Sequence, residues 1–278
     1  MSTLSNPSSV AVVVPIYRCE LTAEERQSLR HLDAYLSGYD RCFAAPERVR
    51  PRRPGFALVH FPDACFASVE SYSRLLLSAA FYRAFAAYEH VLVHQLDALV
   101  LAADLERWCA APYDYVGAPW LKDPRAPEKG FSRVGNGGLS LRRVDACLRV
   151  LETRRYLGGG PSLARDLVSA ALPDLAWHRF ARRLRVLREA RRGAAWYASR
   201  YTVNEDRFWS DRAALFDPAF RVASVAAALG FSFERAPRYC YEANGGALPF
   251  GCHAWSRWDR AFWEPYLLAG AGEADSSG

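Results

Sequence analysis

The sequence predicts an α/β fold with a mostly parallel central sheet and helices on both faces, and three observations predict it. Residues 10–17 (VAVVVPIY) form a continuous apolar, β-branched run of strand length, the pattern of a strand buried on both faces of a parallel sheet. Strand and helix patterns then alternate in βαβ rhythm, which puts helices on both sides of the sheet. A second buried strand, residues 91–97 (VLVHQLD), is delivered by a long helical pattern and closes on a carboxylate.

Taken in order, Thr22 precedes Ala-Glu-Glu-Arg, an N-cap ahead of an acidic first turn, so a helix is expected to run to about Leu36. Short strands follow at 41–45 and 56–61, separated by the basic, proline-broken loop 48–54. Leu75, Leu76, Ala79, Ala80, Ala84 and Ala87 recur at helical spacing over 71–87. After the strand at 91–97 come a short helix at 105–110, a strand at 113–120 ending in Gly-Ala-Pro-Trp, and a proline- and charge-rich loop at 123–131. Residues 134–142 (VGNGGLSLR) bring three glycines close to a strand, where backbone can approach a ligand more closely than a side chain permits. A helix follows at 144–152. Residues 158–199 are the least regular and read as an insertion. Within them Trp177, Phe180, Leu184 and Leu187 are helically spaced while arginines cover the remaining face, which predicts a basic amphipathic helix over 177–192. Asn204-Glu205-Asp206 opens an aromatic helix at Phe208 and Trp209, a helix and an edge segment follow over 222–233, and residues 271–278 are expected to be a disordered tail. There is no internal repeat.

Composition narrows the function classes. With 278 residues, 51% of them hydrophobic, the chain can bury a sizeable core and is long enough for an enzyme. No run approaches the ~20 apolar residues that cross a bilayer, and the first nine residues lack the basic start and apolar segment of a secretory signal, so a cytoplasmic protein is expected. Seven cysteines, with no Cys-x-x-Cys spacing, indicate neither a disulfide framework nor a zinc knuckle. The net charge of +6 is carried mainly by arginine and suits anionic partners such as nucleotide diphosphates, acidic glycans or lipid headgroups. Nucleic acid is not expected, because the basic residues are confined and no RNA-binding motif appears.

In open α/β sheets ligands sit beyond the carboxyl ends of strands, which is where Gln95 and Asp97 fall. The ordered set VVVPIY, QLD, GAPW, GNGGLSLR, NEDRFW and FGCHAW resembles a bacterial family of formerly uncharacterised domains grouped with GT-A glycosyltransferases, over roughly residues 10–255. The resemblance implies a single GT-A-like, Rossmann-like catalytic domain over 1–270, with a nucleotide-sugar-binding half at about 10–145 and an acceptor half at about 146–268. It implies transfer from a nucleotide-diphosphate-sugar, a UDP-sugar first, to a glycan, lipid-linked or protein hydroxyl in bacterial surface polysaccharide or glycoconjugate synthesis. Asp97 matches the last acid of the metal-binding DxD motif, Gln95 stands where its first acid would be, and His253 takes the place of the late metal-ligating histidine, for Mn²⁺ or Mg²⁺. Donor contacts are implied for Pro15, Tyr17, Arg74, Gln95, Asp97, Asn136, Gly137 and Gly138, and acceptor contacts for Trp120, Asn204, Trp209 and Trp255. Asp206 is implied as the general base of an inverting reaction with Glu205 orienting a substrate, although either acid suits the role and a late histidine also occurs in retaining enzymes. The basic helix at 177–192 would allow a peripheral contact with the inner membrane.

The residues alone also admit plainer readings. Asn-Gly is a turn signal, adjacent acids are favoured in a first helical turn, and a lone histidine is commonly a satisfied core residue. Gln95 in place of an acid supports a non-catalytic nucleotide- or carbohydrate-binding module as the alternative.

Overall fold

The computed structural model describes residues 9–154 and 192–269. Strand β1 (Val10–Pro15) is the centre of a six-stranded sheet and explains its own sequence. Ala11 and Val13 point into one core and Val10, Val12 and Val14 into another, so a strand with no polar face is what both cores require. The sheet order is β3 (Phe56–Phe61), β2 (Asp40–Pro46), β1, β4 (His90–His94), β9 (Leu139–Arg143), β6 (Tyr115–Val116). The first four strands run parallel, and β9 lies antiparallel to both β4 and β6.

Helices cover both faces. On one, α1 (Ala23–Leu36) buries Leu29, Leu32 and Leu36. Its start is a reciprocal cap in which the Glu25 amide donates to Thr22 Oγ1 (3.2 Å) and the Thr22 amide to Glu25 Oε2 (2.8 Å). On the other face lie α2 (Val69–Leu76), α3 (Ala79–Ala84) and α4 (Val144–Glu152), with the helices Ala194–Ser199 and Glu205–Asp211.

Three sequence expectations are corrected. The helical pattern over 71–87 is two helices, because Ser78 caps a new one by accepting the Phe81 amide (3.2 Å). The strand expected at 113–120 divides into β6 and β7 (Pro119–Leu121), and β7 pairs with β8 (Phe131–Val134) in a separate ribbon. The division falls at Gly117, where a Cβ would run into the Gly135 carbonyl. The strand expected at 91–97 ends at His94, so Asp97 lies in a turn beyond it, while the glycines of 134–142 form the turn between β8 and β9. All seven cysteines are free thiols. No helix among the described residues is long and apolar enough to cross a membrane. The basic helix at 177–192 and the tail at 271–278 lie outside the described residues.

Candidate active site

A small second sheet, ordered β10 (Ser232–Phe233), β11 (Gly251–Cys252), β5 (Leu99–Val100), sets three side chains in a row. Strands β10 and β11 are parallel with Phe233 opposite Cys252, so the residues that follow, Glu234 and His253, emerge side by side. On the far side β5 is antiparallel to β11, and the Trp255 amide donates to the Asp97 carbonyl (3.2 Å), which draws the end of the β4 segment alongside. His253 Nε2 consequently lies 3.2 Å from Asp97 Oδ1 and 3.3 Å from Gln95 Oε1, while its Nδ1 faces Glu234 Oε1 at 3.5 Å. Burial works against charge on this imidazole, but Asp97 and Glu234 outweigh it and push His253 up to about 10.

The glycine turn is built against this row. Gln95 N donates to the Gly138 carbonyl (2.7 Å), and a Cβ at Gly138 would collide with the His253 ring. Asn136 adopts a left-handed backbone (φ 71°), stabilised because its Oδ1 accepts the Gly138 amide (2.9 Å). A Cβ at Gly137 would strike the Glu205 carboxylate, and one at Gly135 the Trp120 ring. Gly138→Ala is therefore expected to displace His253 and lower stability by about 1–3 kcal/mol, measured by urea unfolding.

Glu205 and Asp206, adjacent at the start of helix Glu205–Asp211, have opposite surroundings. Glu205 turns inward and meets the fully buried Arg142 guanidinium (Oε1 to Nη2, 3.0 Å), while Ser73 Oγ donates to its other oxygen (3.3 Å). Arg142 also reaches Tyr82 OH (3.2 Å) and Ser140 Oγ (3.1 Å) and lies over the Tyr115 ring. Asp206 forms no ion pair among the described residues. Its Oδ2 accepts the Asn136 amide (3.0 Å) and its Oδ1 the Arg207 amide (2.7 Å). Burial, with the Glu205 charge next to it, pushes Asp206 up to about 7.

Asp206 opens onto a cleft of about 720 Å³ whose lining includes Trp120, Asn204, Arg207 and Glu234. Trp120, Asn204 and Asp206 are thus brought to one cavity. Trp209 and Trp255 are not: at 0% and 1% exposure they are core residues, packed against Tyr82 and Phe220 in the first case and beside Trp263 and Phe262 in the second. A stacking platform needs an open ring face, so their expected acceptor role is corrected. Arg74 lies on the exposed side of α2 in an ion pair with Glu70 (2.6 Å), away from the inward-facing Ser73 of the same helix. Pro15 ends β1 and Tyr17 beyond it is 58% exposed, at the carboxyl edge of the parallel strands. His94 is fully buried without a hydrogen-bond partner, and burial lowers it to about 4, so it is a neutral core histidine.

Two residues of the site were not anticipated. Arg142 carries a signal, a cation that shares a strand face with the small Ser140 while its neighbour Arg143 points the other way, and a buried cation needs a buried partner. Glu234 directly follows β10, where the expected edge segment ends, but nothing local to it points to His253, which the parallel pairing of β10 with β11 sets beside it.

The architecture is similar to that of several solved glycosyltransferases. The galactosyltransferase LgtC, in complex with donor and acceptor sugar analogs, aligns with a TM-score of 0.47 and 12% identity over 95% of this chain and 98% of its own. The glycosyltransferase GlyE of Streptococcus pneumoniae TIGR4 gives 0.43 and 13% over 94% and 60%. Core-mannan synthase A of Aspergillus fumigatus, in its Mn/GDP form, gives 0.43 and 11% over 80% and 74%. Likeness of this degree says nothing of donor, acceptor or activity here. No curated protein matches the sequence. A family model does match, over residues 55–253, a stretch that contains the glycine turn, the acid pair, Asp97, Glu234 and His253 itself; the chain belongs to the family described as proteins of unknown function, DUF5672.

Proposed function

We propose that the protein is a glycosyltransferase that moves a sugar from a nucleotide-diphosphate donor, a UDP-sugar first, to a hydroxyl of a glycan, lipid-linked or protein acceptor. The single observation that carries this reading is the glycine turn. Over three consecutive residues Asn136 binds Asp206, Gly137 abuts Glu205 and Gly138 abuts His253. Two extended residues span at most about 7 Å, so the carboxylate and the His253–Asp97 pair flank a gap that one donor sugar bridges.

In this reading Asp97 and His253, the imidazole giving up its Nε2 proton as the ion enters, with Gln95 Oε1 beside them, would hold Mn²⁺ or Mg²⁺ together with diphosphate oxygens. The donor set of one imidazole, one carboxylate and one amide oxygen fits such an ion only if substrate completes it, since no three His, Cys, Asp or Glu side chains form a ready cage among the described residues. Glu234 behind Nδ1 orients the imidazole, as carboxylates do for ligating histidines. When bound, the ion neutralises the departing diphosphate. The chain's own residues do the rest. Backbone at Gly137 and Gly138 lets the donor lie close, and two backbone amides fix Asp206. The acceptor oxygen attacks the anomeric carbon, its proton passes to Asp206, and the sugar–diphosphate bond breaks with its electron pair leaving on the diphosphate. A base on the face opposite the leaving group gives inversion. Glu205, held by Arg142, is a positioning residue whose charge keeps Asp206 basic. Bacterial surface polysaccharide or glycoconjugate assembly is the setting we propose for this chemistry.

Nucleotide release across a panel of UDP- and GDP-sugars tests the reading. Asp97→Ala is expected to reduce release by about 10²-fold or more, since even outer-shell partners of a metal account for up to that. Gln95, which adds no charge where an acid would, favours a second reading as a non-catalytic nucleotide-binding module; thermal stabilisation by UDP with Mn²⁺ but no release from any donor would select it. NMR of the product's anomeric configuration separates inversion from retention.

A further inference from the structure

We propose that the cleft beside Asp206 receives an anionic acceptor, a sugar bearing a carboxylate or phosphate near the hydroxyl to be glycosylated; this rests on the glycosyltransferase reading and names its acceptor class. The cleft is lined by Lys122, Arg133, Arg207 and Arg235. Arg133 is paired with Asp211, but Lys122, Arg207 and Arg235 have no carboxylate partner among the described residues. The two acids on the wall do not answer them. Glu234 faces His253, and Asp206 takes backbone amides.

The arginines are also held in a particular way. Arg207 and Arg133 lie over the Trp120 ring at 5.7 and 6.0 Å, and Arg235 lies over Trp258 at 4.2 Å. A guanidinium laid over an indole keeps its N–H edge free, and that edge matches a carboxylate or phosphate in bidentate fashion. Three cations without a carboxylate partner among the described residues, gathered in a concave site, raise the local concentration of anions and gain nothing from a neutral sugar. Their target is distinct from the donor diphosphate, because the lining contains neither Asp97, Gln95, His253 nor any residue of the glycine turn. Cleft and donor row meet only at Asp206 and Glu234, where an acceptor hydroxyl would have to enter.

The test is calorimetric titration of the whole protein with trigalacturonate, with a hexose 6-phosphate and with neutral maltotriose, each with and without UDP and Mn²⁺. One or both anionic probes are expected to bind at least about tenfold more tightly than maltotriose, with affinity falling as salt is raised, and the tighter of the two identifies carboxylate or phosphate as the recognised group. Lys122→Gln and Arg207→Gln, both at exposed positions, are each expected to weaken that binding about tenfold without lowering the melting temperature. Equal binding of maltotriose, no binding of either anion, or displacement of the anion by UDP would overturn the proposal, the last because the cations would then serve the donor. Donor hydrolysis by the unaltered protein, which needs no acceptor, is measured in parallel. Its absence with anion binding intact would count against the glycosyltransferase reading alone.

Discussion

Asp206→Asn is expected to reduce sugar transfer by about 10²–10⁴-fold, the usual contribution of a positioned general base, with donor binding retained. Asparagine is isosteric but offers one oxygen where Asp206 uses two, so one of the Asn136 and Arg207 amides loses its acceptor, and retained donor binding is what separates that loss from the loss of the base. The same residue sets a pH dependence. In the folded state Asp206 is raised to about 7, whereas an unfolded aspartate titrates near 4. Between these values the folded chain binds the extra proton, so this group's contribution to stability falls as pH rises from about 4 to about 7. Activity runs the other way, because only the ionised carboxylate accepts a proton. The acid limb of the rate profile is expected near pH 7, well above that of an ordinary aspartate. Asp206→Asn should remove both pH dependences; urea unfolding and rate profiles across the pH range check this. Full transfer by this variant would remove Asp206 from the chemistry.

Arg142→Met is expected to have the largest effect on stability. It strands Glu205 in the core with only Ser73 Oγ as a partner, and breaking one side of a buried ion pair costs about 3–5 kcal/mol. It also removes a cation that acts on Asp206, whose carboxyl should then rise further, since Arg142 is among the influences holding it down. Arg142→Met combined with Glu205→Gln should recover most of the stability, because the paired charges are replaced together. A double-mutant cycle in urea reads the coupling directly. If Arg142→Met unfolded at the same urea concentration as the unaltered protein, the pair would not anchor the helix that presents Asp206.

How much of this was readable in the sequence depended on the range of the interaction. The two-faced strand β1, the Thr22 cap and the helix Val144–Glu152 follow from local pattern, and the structure has them at or within two residues of the expected bounds. The divided helix at Ser78 was missed because its side-chain cap competes with an uninterrupted apolar periodicity. The glycines beside a strand and the Asn-Gly turn signal were legible locally, while the geometry of the turn is set by contacts with Trp120, Glu205 and His253, outside the segment. The same holds for the acids. Nothing local to Glu205-Asp206 says which carboxylate meets an arginine and which meets the cleft; Arg142, some sixty positions earlier, decides it. Trp209 and Trp255 lie beside candidate polar residues in the sequence, yet burial, which adjacency does not reveal, assigns both to the core.

A crystal structure of the protein soaked with UDP and Mn²⁺ tests most directly whether the glycine turn joins one donor site to one base. The metal is expected on Asp97 and His253, the diphosphate against Gly137 and Gly138, and the Asp206 carboxylate facing the position of the transferred sugar. A diphosphate bound instead among Lys122, Arg207 and Arg235, or a metal that leaves His253 untouched, would contradict it.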